Sequence, residues 1–330
     1  MRRIQFEKFG DPAEVLHIVE VPKPTPGPDE VVVRLSARPI HPADLLTVIG
    51  LYGIRPKLPT TPGLEGAGTV SAVGENVKDV FVGERVVPII ALRETGSWQE
   101  FIAVPSTRVI QIPDGLDDAA AAQTVVGPLS SWLMLNEYSN PRAGDWVIQN
   151  AASGAMGRFN REVAAGLGLR MINVVRRSDV AEELRRDGSE FVIDSSVDDV
   201  PALVKEWTDG RGVNVALDAV GGGSGGELLQ TVAAHGVHLL YGALSYQALP
   251  VPVGRPIFSE LRIRGFWVDF WLRQTAPDKQ QTVLRKLLEL MAKGDIVPRI
   301  GPSFELNDFA EAMRRSATPD GQPGKICLVG

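Results

Sequence analysis

Residues 145–157 read Asp-Trp-Val-Ile-Gln-Asn-Ala-Ala-Ser-Gly-Ala-Met-Gly, and an amphipathic stretch continues to Gly168. The pattern is an apolar strand, a tight glycine turn and a helix. A helix start of this kind offers unpaired backbone N–H groups and the positive end of the helix dipole. Those features suit a pyrophosphate, and glycine lets the backbone come close to it. The spacing Ala151-x-x-Gly154-x-x-Gly157 is a variant of the dinucleotide fingerprint. Ser153, Gly154, Met156 and Gly157 are therefore the expected phosphate contacts.

The next apolar run ends Val174-Val175-Arg176-Arg177. Arg176 stands about 20 residues beyond the glycine turn, where NAD-binding folds place an acid on the ribose 2′-hydroxyl. An acid there repels a 2′-phosphate, whereas guanidinium groups donate charge-assisted hydrogen bonds to it. Arg176 and Arg177 thus predict NADPH rather than NADH. The alternative reading is a solvated basic strand end.

Metal chemistry finds little support. The single cysteine, Cys327, excludes an internal disulfide and any cysteine-based zinc site. His235 and His238 are three apart, but they flank the turn into a predicted strand at 237–241. The expected reading is one exposed loop histidine and one strand histidine. Asp194, Asp198 and Asp199 form an acidic loop cluster expected to be solvated. Arg299, Arg314 and Arg315 could meet a coenzyme A or carrier-protein phosphate, or simply be surface arginines.

These groups need a scaffold. Residues 1–120 read as β-rich, with apolar or alternating runs at 31–35, 68–73, 85–90 and 101–104 between Gly and Pro punctuation. From about 121 to 268 the rhythm changes. β-branched runs at 146–149, 171–175, 191–193, 213–217, 237–241 and 261–265 alternate with helical stretches, which predicts a doubly wound parallel sheet. Gly221–Gly226 reads as a βα loop. Helices are expected over 279–293 and 306–316, and a closing strand over 325–329. The net charge of −6 argues against a nucleic-acid or membrane-surface binder. No apolar run reaches the length of a membrane span, and the N-terminus does not read as a signal peptide. The expected location is cytoplasmic.

The chain resembles the medium-chain dehydrogenases/reductases. The resemblance runs through Gly63-Leu-Glu65-Gly66-Ala-Gly68-Thr-Val70, then Val73-Gly74 and Gly83-Glu-Arg-Val. Zinc-containing members carry Gly-His-Glu at the first of these and a ligating cysteine upstream. Here Leu64 replaces that histidine and Ile40-His41-Pro42-Ala43-Asp44 stands at the cysteine segment, so zinc-dependent alcohol chemistry is not expected. Three further segments are similar to mitochondrial-type trans-2-enoyl-CoA/ACP reductases and to quinone oxidoreductases. These are His41–Asp44 through Gly50-Leu-Tyr52-Gly53, Val126–Leu135, and Gly254–Pro256 through Arg264-Gly-Phe266-Trp267-Val268-x-x-Trp271. His41, Gly127 and Ser130-Ser131 depart from the usual Asn, Asn and Thr-Ala.

The resemblance implies a Rossmann domain at 123–269 within a β-rich GroES-like catalytic domain formed by 1–122 and 270–330, with the active site in the cleft between them. It implies metal-free, NADPH-dependent reduction of an activated carbon–carbon double bond, with a trans-2-enoyl thioester of CoA or acyl carrier protein preferred. A quinone or alkenal/enone reductase is the first alternative, and a non-catalytic NADPH-binding protein the second. Tyr52 takes the proton-donor or enolate-stabilising role; a free phenol titrates near 10 and can donate at neutral pH. Trp271 lines the acyl pocket or packs as an ordinary aromatic. Tyr241, Gly242, Phe266, Trp267, Val268 and Lys325 approach the cofactor. A homodimer joined through a Rossmann edge strand near Leu249–Val253 is also implied.

Overall fold

A computed structural model describes residues 1–90, 95–317 and 324–330. Two units separate by their internal contacts: Met1–Leu129 with Gln274–Gly330, and Ser130–Arg273.

The first unit is β-rich. Its strands are β1 (Arg2–Gln5), β2 (His17–Glu20), β3 (Glu30–Pro39), β4 (Ala67–Val73), β5 (Arg85–Pro88), β6 (Phe101–Pro105) and β7 (Val109–Gln111). The main sheet runs through β3, β4, β5 and β7, with β6 also on β3. Alternation along β3 and its neighbours sends Val31, Val33, Leu35, Val70, Val86, Ile102 and Val104 into one buried cluster. A second cluster gathers Ile4, Phe6, Ile40, Val48, Trp98, Ile326 and Leu328. Burial of the larger of these side chains stabilises the unit by roughly 1.5–3 kcal/mol each.

The second unit holds a parallel sheet of β8 (Trp146–Gln149), β9 (Arg170–Val175), β10 (Phe191–Asp194), β11 (Val213–Asp218), β12 (Val232–Leu240) and β13 (Arg262–Gly265). The order is β10-β9-β8-β11-β12-β13, and each adjacent pair is parallel. The chain runs outward from β8 in one direction and from β11 in the other. Ile148, Ile172, Val174, Ile193, Ala216 and Leu228 form its core. This is the doubly wound Rossmann order, and the switch point lies between β8 and β11. The first unit is completed by β14 (Ile300–Glu305) and β15 (Lys325–Val329), which extend its sheet beside β3.

Two sequence expectations fail here. Gly221–Gly226 is not a loop: a helix occupies Gly222–Thr231. Glycine disfavours a helix by about 1 kcal/mol per residue, but packing requires it at this place. A Cβ on Gly225 would stand 2.2 Å from Asp218 Oδ2, and one on Gly226 2.6 Å from Pro250 Cγ. The segment Leu249–Val253, expected to be an edge strand, forms none; the sheet ends at β10 and β13. Among the described residues no helix is long and apolar enough to cross a membrane.

Candidate active site

The glycine turn follows β8 and opens the helix Ala155–Gly166. Gly154 is its N-cap and has no side chain to satisfy the first turn, so the N–H groups there are free for an anion. Ser153 and Gly154 are exposed, Met156 is half-buried and Gly157 is buried. A Cβ on Gly157 would stand 2.3 Å from the Ala152 carbonyl oxygen. Only glycine lets this helix sit so tightly on its strand. Arg161 Nη1 donates to Ala152 O at 2.6 Å, and Gln149 Nε2 donates to Gly157 O at 2.9 Å. A buried chain continues beneath the turn. Gln149 also donates to Asn173 Oδ1, Asn160 donates to Gln149 Oε1, and Ser131 donates to Asn160 Oδ1, all between 2.7 and 2.9 Å. These polar side chains hold the turn in one shape, and the sequence had not marked them out.

The switch point is fixed by Asp218, fully buried at the end of β11. Its Oδ1 accepts from Asn150 Nδ2 at 2.7 Å and from the backbone N–H groups of Val220 and Gly221 at 2.8 Å each. Its Oδ2 faces His238 Nε2 at 3.0 Å. Burial opposes ionisation of Asp218, but these hydrogen bonds outweigh it and hold the carboxyl below its ordinary range. Asn150 Oδ1 in turn accepts from Ala219 N–H at 2.8 Å. The loops leaving β8 and β11 are thus tied together where a dinucleotide crosses such a sheet. Both His235 and His238 lie on β12. His238 is buried against Asp218, whereas His235 is exposed and pairs with Glu260 at 3.2 Å. The expected loop histidine is therefore a strand histidine, and the two do not share a ligand.

At the end of β9, Arg176 is exposed and, among the described residues, makes no ion pair. Arg177 is already engaged: Nη2 and Nε donate to Asp179 at 2.7 and 3.1 Å. Tyr241 N–H donates to Asp218 O at 3.0 Å. Burial pushes the Tyr241 phenol up despite a hydrogen bond with Asn160, so it stays protonated at neutral pH. A Cβ on Gly242 would stand 2.5 Å from Ala219 O, which requires glycine there. Phe266 N–H donates to Leu240 O at 2.8 Å, and its ring packs edge-on to Tyr138 at 4.9 Å. Trp267 packs edge-on to Phe270 at 5.2 Å, and Val268 opens the helix Val268–Gln274. Trp271 is 4% exposed and donates from Nε1 to Glu137 at 3.0 Å. That hydrogen bond anchors its helix and leaves little of the ring at the surface.

In the first unit a second constellation appears. Ile40 N–H donates to Ile326 O at 2.9 Å, which sets His41 beside β15. His41 caps the helix Pro42–Val48, and Asp44 Oδ2 accepts its backbone N–H at 2.7 Å. The His41 ring meets Glu65 through Nε2 and Oε1 at 2.6 Å. Glu65 Oε2 accepts the Val126 N–H at 2.7 Å. Asp44 and Glu65 are both fully buried. Burial pushes the Asp44 carboxyl up to about 7, with the charge of Glu65 adding to the effect. Burial, then the Lys325 charge, lower His41, while Glu65 raises it. Lys325 opens β15 and acts electrostatically on this cluster. Tyr52 is half-buried four residues past the helix, its N–H given to Leu46 O at 3.1 Å. His41 and Glu65 had been noted only as motif positions. The available signal was a carboxylate within the glycine-rich run 63–68.

The residues do not fit a zinc ion. Leu64 carries no donor, and His41 Nε2 is taken by Glu65. Among the described residues no three His, Cys, Asp or Glu side chains are grouped to hold a metal. The acidic cluster is also not what its composition suggested. Asp194 is buried and accepts from Ser178 and Ser196, Asp198 accepts from Asp194 N–H, and Asp199 caps the helix Val200–Trp207. Arg314 and Arg315 both pair with Glu311 on their own helix.

Comparison with known proteins agrees with this geometry. Residues 27–114 match the alcohol dehydrogenase GroES-like domain, and residues 188–328 match the zinc-binding dehydrogenase family. The mitochondrial enoyl-[acyl-carrier-protein] reductase of Xenopus tropicalis is 33% identical over 96% of this chain and 92% of its own. The human enzyme of that name is 32% identical over 97% and 86%. A crystal structure from Bacillus thuringiensis, provisionally assigned as an NADPH:quinone reductase, superposes with TM-score 0.93. It shares 32% identity and covers 100% of this chain and 98% of its own. Escherichia coli quinone oxidoreductase, solved with NADPH, gives TM-score 0.86 at 25% identity over the full length of both chains. A Rossmann sheet, a GroES-like unit and relatives this similar along nearly the whole length lead to one conclusion: the chain belongs to the medium-chain dehydrogenase/reductase family, alongside the mitochondrial enoyl-acyl-carrier-protein reductases and the quinone oxidoreductases.

Proposed function

We propose that this protein is an NADPH-dependent reductase of activated carbon–carbon double bonds, with 2-enoyl thioesters as the preferred substrate class. The observation that carries the reading is the uncapped helix start at Gly154, seated by Gly157 and followed one strand later by the exposed Arg176, which makes no ion pair among the described residues. The first-turn N–H groups of Ala155, Met156 and Gly157 would hold the pyrophosphate, with Ser153 and Gly154 in the turn beside it, and Arg176 would hold the 2′-phosphate. Tyr241, Gly242, Phe266, Trp267 and Val268 would line the nicotinamide end. When bound, the dinucleotide supplies hydride to the β carbon of the double bond.

The protein then has two tasks. Negative charge develops on the thioester oxygen and must be met by a donor, and a proton must reach the α carbon. Tyr52 donates its phenolic O–H to that oxygen. Trp271, through Glu137, orders the helix that carries it. The enoyl-reductase relatives favour a thioester, whereas the quinone reductase structures support the quinone alternative.

Nicotinamide absorbance with crotonyl-CoA, set against a quinone series, separates these readings. Rapid NADPH oxidation with crotonyl-CoA is expected. Turnover with quinones alone would reverse the substrate assignment, and turnover with neither would leave a non-catalytic NADPH binder. Tyr52→Phe should lower kcat by about 100-fold or more with little change in the Kd for NADPH. Retained turnover would remove Tyr52 from the reaction. We also propose a homodimer joined along the outer edge of β13, because Val253, Ile257 and Phe258 just before it are 73%, 63% and 88% exposed. Light scattering should show twice the chain mass.

A further inference from the structure

We infer that the second unit carries a further ligand site at the amino-terminal ends of its parallel strands. The site takes a small hydroxylated organic acid, whose oxyanion meets Arg170 and Arg211 and whose hydroxyl meets Asp145. This site does not depend on the reductase reading above.

A pocket of about 230 Å³ lies there, its walls including Asp145, Trp146, Arg170, Arg211, Asn214 and Ala233. Trp146 and Arg170 open β8 and β9, and Asn214 and Ala233 stand second in β11 and β12. The Gly154 turn, Arg176 and Asp218 stand at the other ends of β8, β9 and β11. Six residues of parallel strand separate Arg170 from Arg176, about 20 Å. The volume is just under the roughly 300 Å³ at which drug-sized pockets begin, so the ligand is smaller than that. An irregular strand opens the pocket. β11 advances two residues, from Val213 to Val215, while β12 advances five, from Val232 to Val237. The surplus bulges from the sheet and leaves Asn214 without a partner in that register. Within the bulge His235 takes φ 61°, a left-handed conformation that a residue with a Cβ disfavours. Bulges are over-represented beside functional sites, where they re-aim side chains.

The polar groups on the walls define the ligand. The Arg170 guanidinium lies over the Trp146 ring, 5.2 Å from its centroid. Stacking uses the face of a guanidinium and leaves its in-plane N–H groups to donate. Among the described residues those groups make no hydrogen bond or ion pair. Arg211 is fastened by Nε to Thr208 O at 3.1 Å and by Nη2 to Asp209 at 3.2 Å, which leaves Nη1. Asn214 Oδ1 accepts the Trp146 N–H at 3.0 Å, so its amide nitrogen is the remaining donor. Asp145 supplies an acceptor: Oδ2 takes the Arg142 N–H at 2.8 Å, and Oδ1 has no partner among the described residues. The charges of Arg170 and Arg211 are balanced by those of Asp145 and Asp209, so a plain anion gains little net attraction. Directed bonds decide instead. An oxyanion matches the guanidinium forks, and a hydroxyl on the same molecule donates to Asp145.

Calorimetric titration of the full chain with malate, glycerol 3-phosphate and succinate tests the site. Malate presents a carboxylate and glycerol 3-phosphate a phosphate, each with a hydroxyl; succinate is malate without it. At least one hydroxylated acid should bind once per chain with a Kd below about 1 mM, and the arm that binds identifies the oxyanion. Succinate should bind at least about tenfold more weakly than malate if malate binds. Arg170→Met and Arg211→Met should each weaken binding about tenfold or more. Both side chains are exposed, so both variants should keep the wild-type circular dichroism; if one fails to fold, the other decides. Arg176→Ala, at the far strand ends, should leave the affinity within about threefold. No binding of any of the three acids at about 10 mM, or a folded arginine variant with wild-type affinity, overturns the inference. So does binding that is lost in Arg176→Ala, which would place the acid at the glycine turn. Equal affinity for malate and succinate overturns the role of Asp145 and with it the ligand class.

Discussion

Asp44→Asn should make the protein's stability depend less on pH, with a magnitude that follows from the buried cluster. Asp44 is fully buried, and only one of its oxygens has a partner among the described residues. Burial, reinforced by Glu65, raises its carboxyl from 3.8 to about 7. The folded state therefore holds this proton more tightly than the unfolded chain does. The group's contribution is most favourable below pH 3.8 and is lost progressively up to about 7. A separation of just over three pH units, at about 1.4 kcal/mol for each, sets an upper bound of about 4 kcal/mol.

Asparagine at this position cannot ionise. Its oxygen can keep the His41 N–H, but its amide nitrogen takes the place of the unpartnered Oδ1, at a cost of about 1–3 kcal/mol. The variant should be less stable than wild type near pH 5. By about pH 8 it should have gained roughly 2–3 kcal/mol relative to wild type, because the remaining ionisation cost falls on the aspartate alone. His41 and Glu65 are present in both proteins and largely cancel in the comparison. Urea unfolding of both proteins at several pH values reads the difference. A gap between them that stays constant within about 0.5 kcal/mol from pH 5 to 8 would refute the reasoning.

Three further outcomes can be measured directly. Arg38 is fully buried and donates to the carbonyls of Leu35, Gln99, Leu328 and Gly330; Arg38→Met should cost about 3–5 kcal/mol in denaturant unfolding by stranding those acceptors. Gly157→Ala would set a Cβ 2.3 Å from Ala152 O, so fluorescence titration should show NADPH binding weakened at least about tenfold as the turn opens. Arg176→Ala should weaken NADPH by about 1.5–3 kcal/mol and leave NADH unchanged; equal losses would refute its placement on the 2′-phosphate.

Much of the Rossmann unit was legible without coordinates. Its strands are short β-branched runs, its turn is a local glycine pattern, and the close contact of Gly157 is with Ala152, five residues away. The closing strand at 325–329 was equally plain. Such features depend on neighbours in the chain, and those are visible in the sequence.

The tertiary structure decided the rest because it brings together residues far apart in the chain. Nothing in Gly-Gly-Gly-Ser-Gly-Gly predicts a helix; the crowding of Asp218 and Pro250 against Gly225 and Gly226 makes one the packed solution. His41 and Glu65 meet across 24 positions, and Val126 reaches Glu65 across 61. Arg176 and Arg177 looked equivalent in sequence, but Asp179 claims only the second. The chain's own residues pointed to a nucleotide-binding reductase. Which side chains can hold a proton depended on where folding excluded water and set charges against one another.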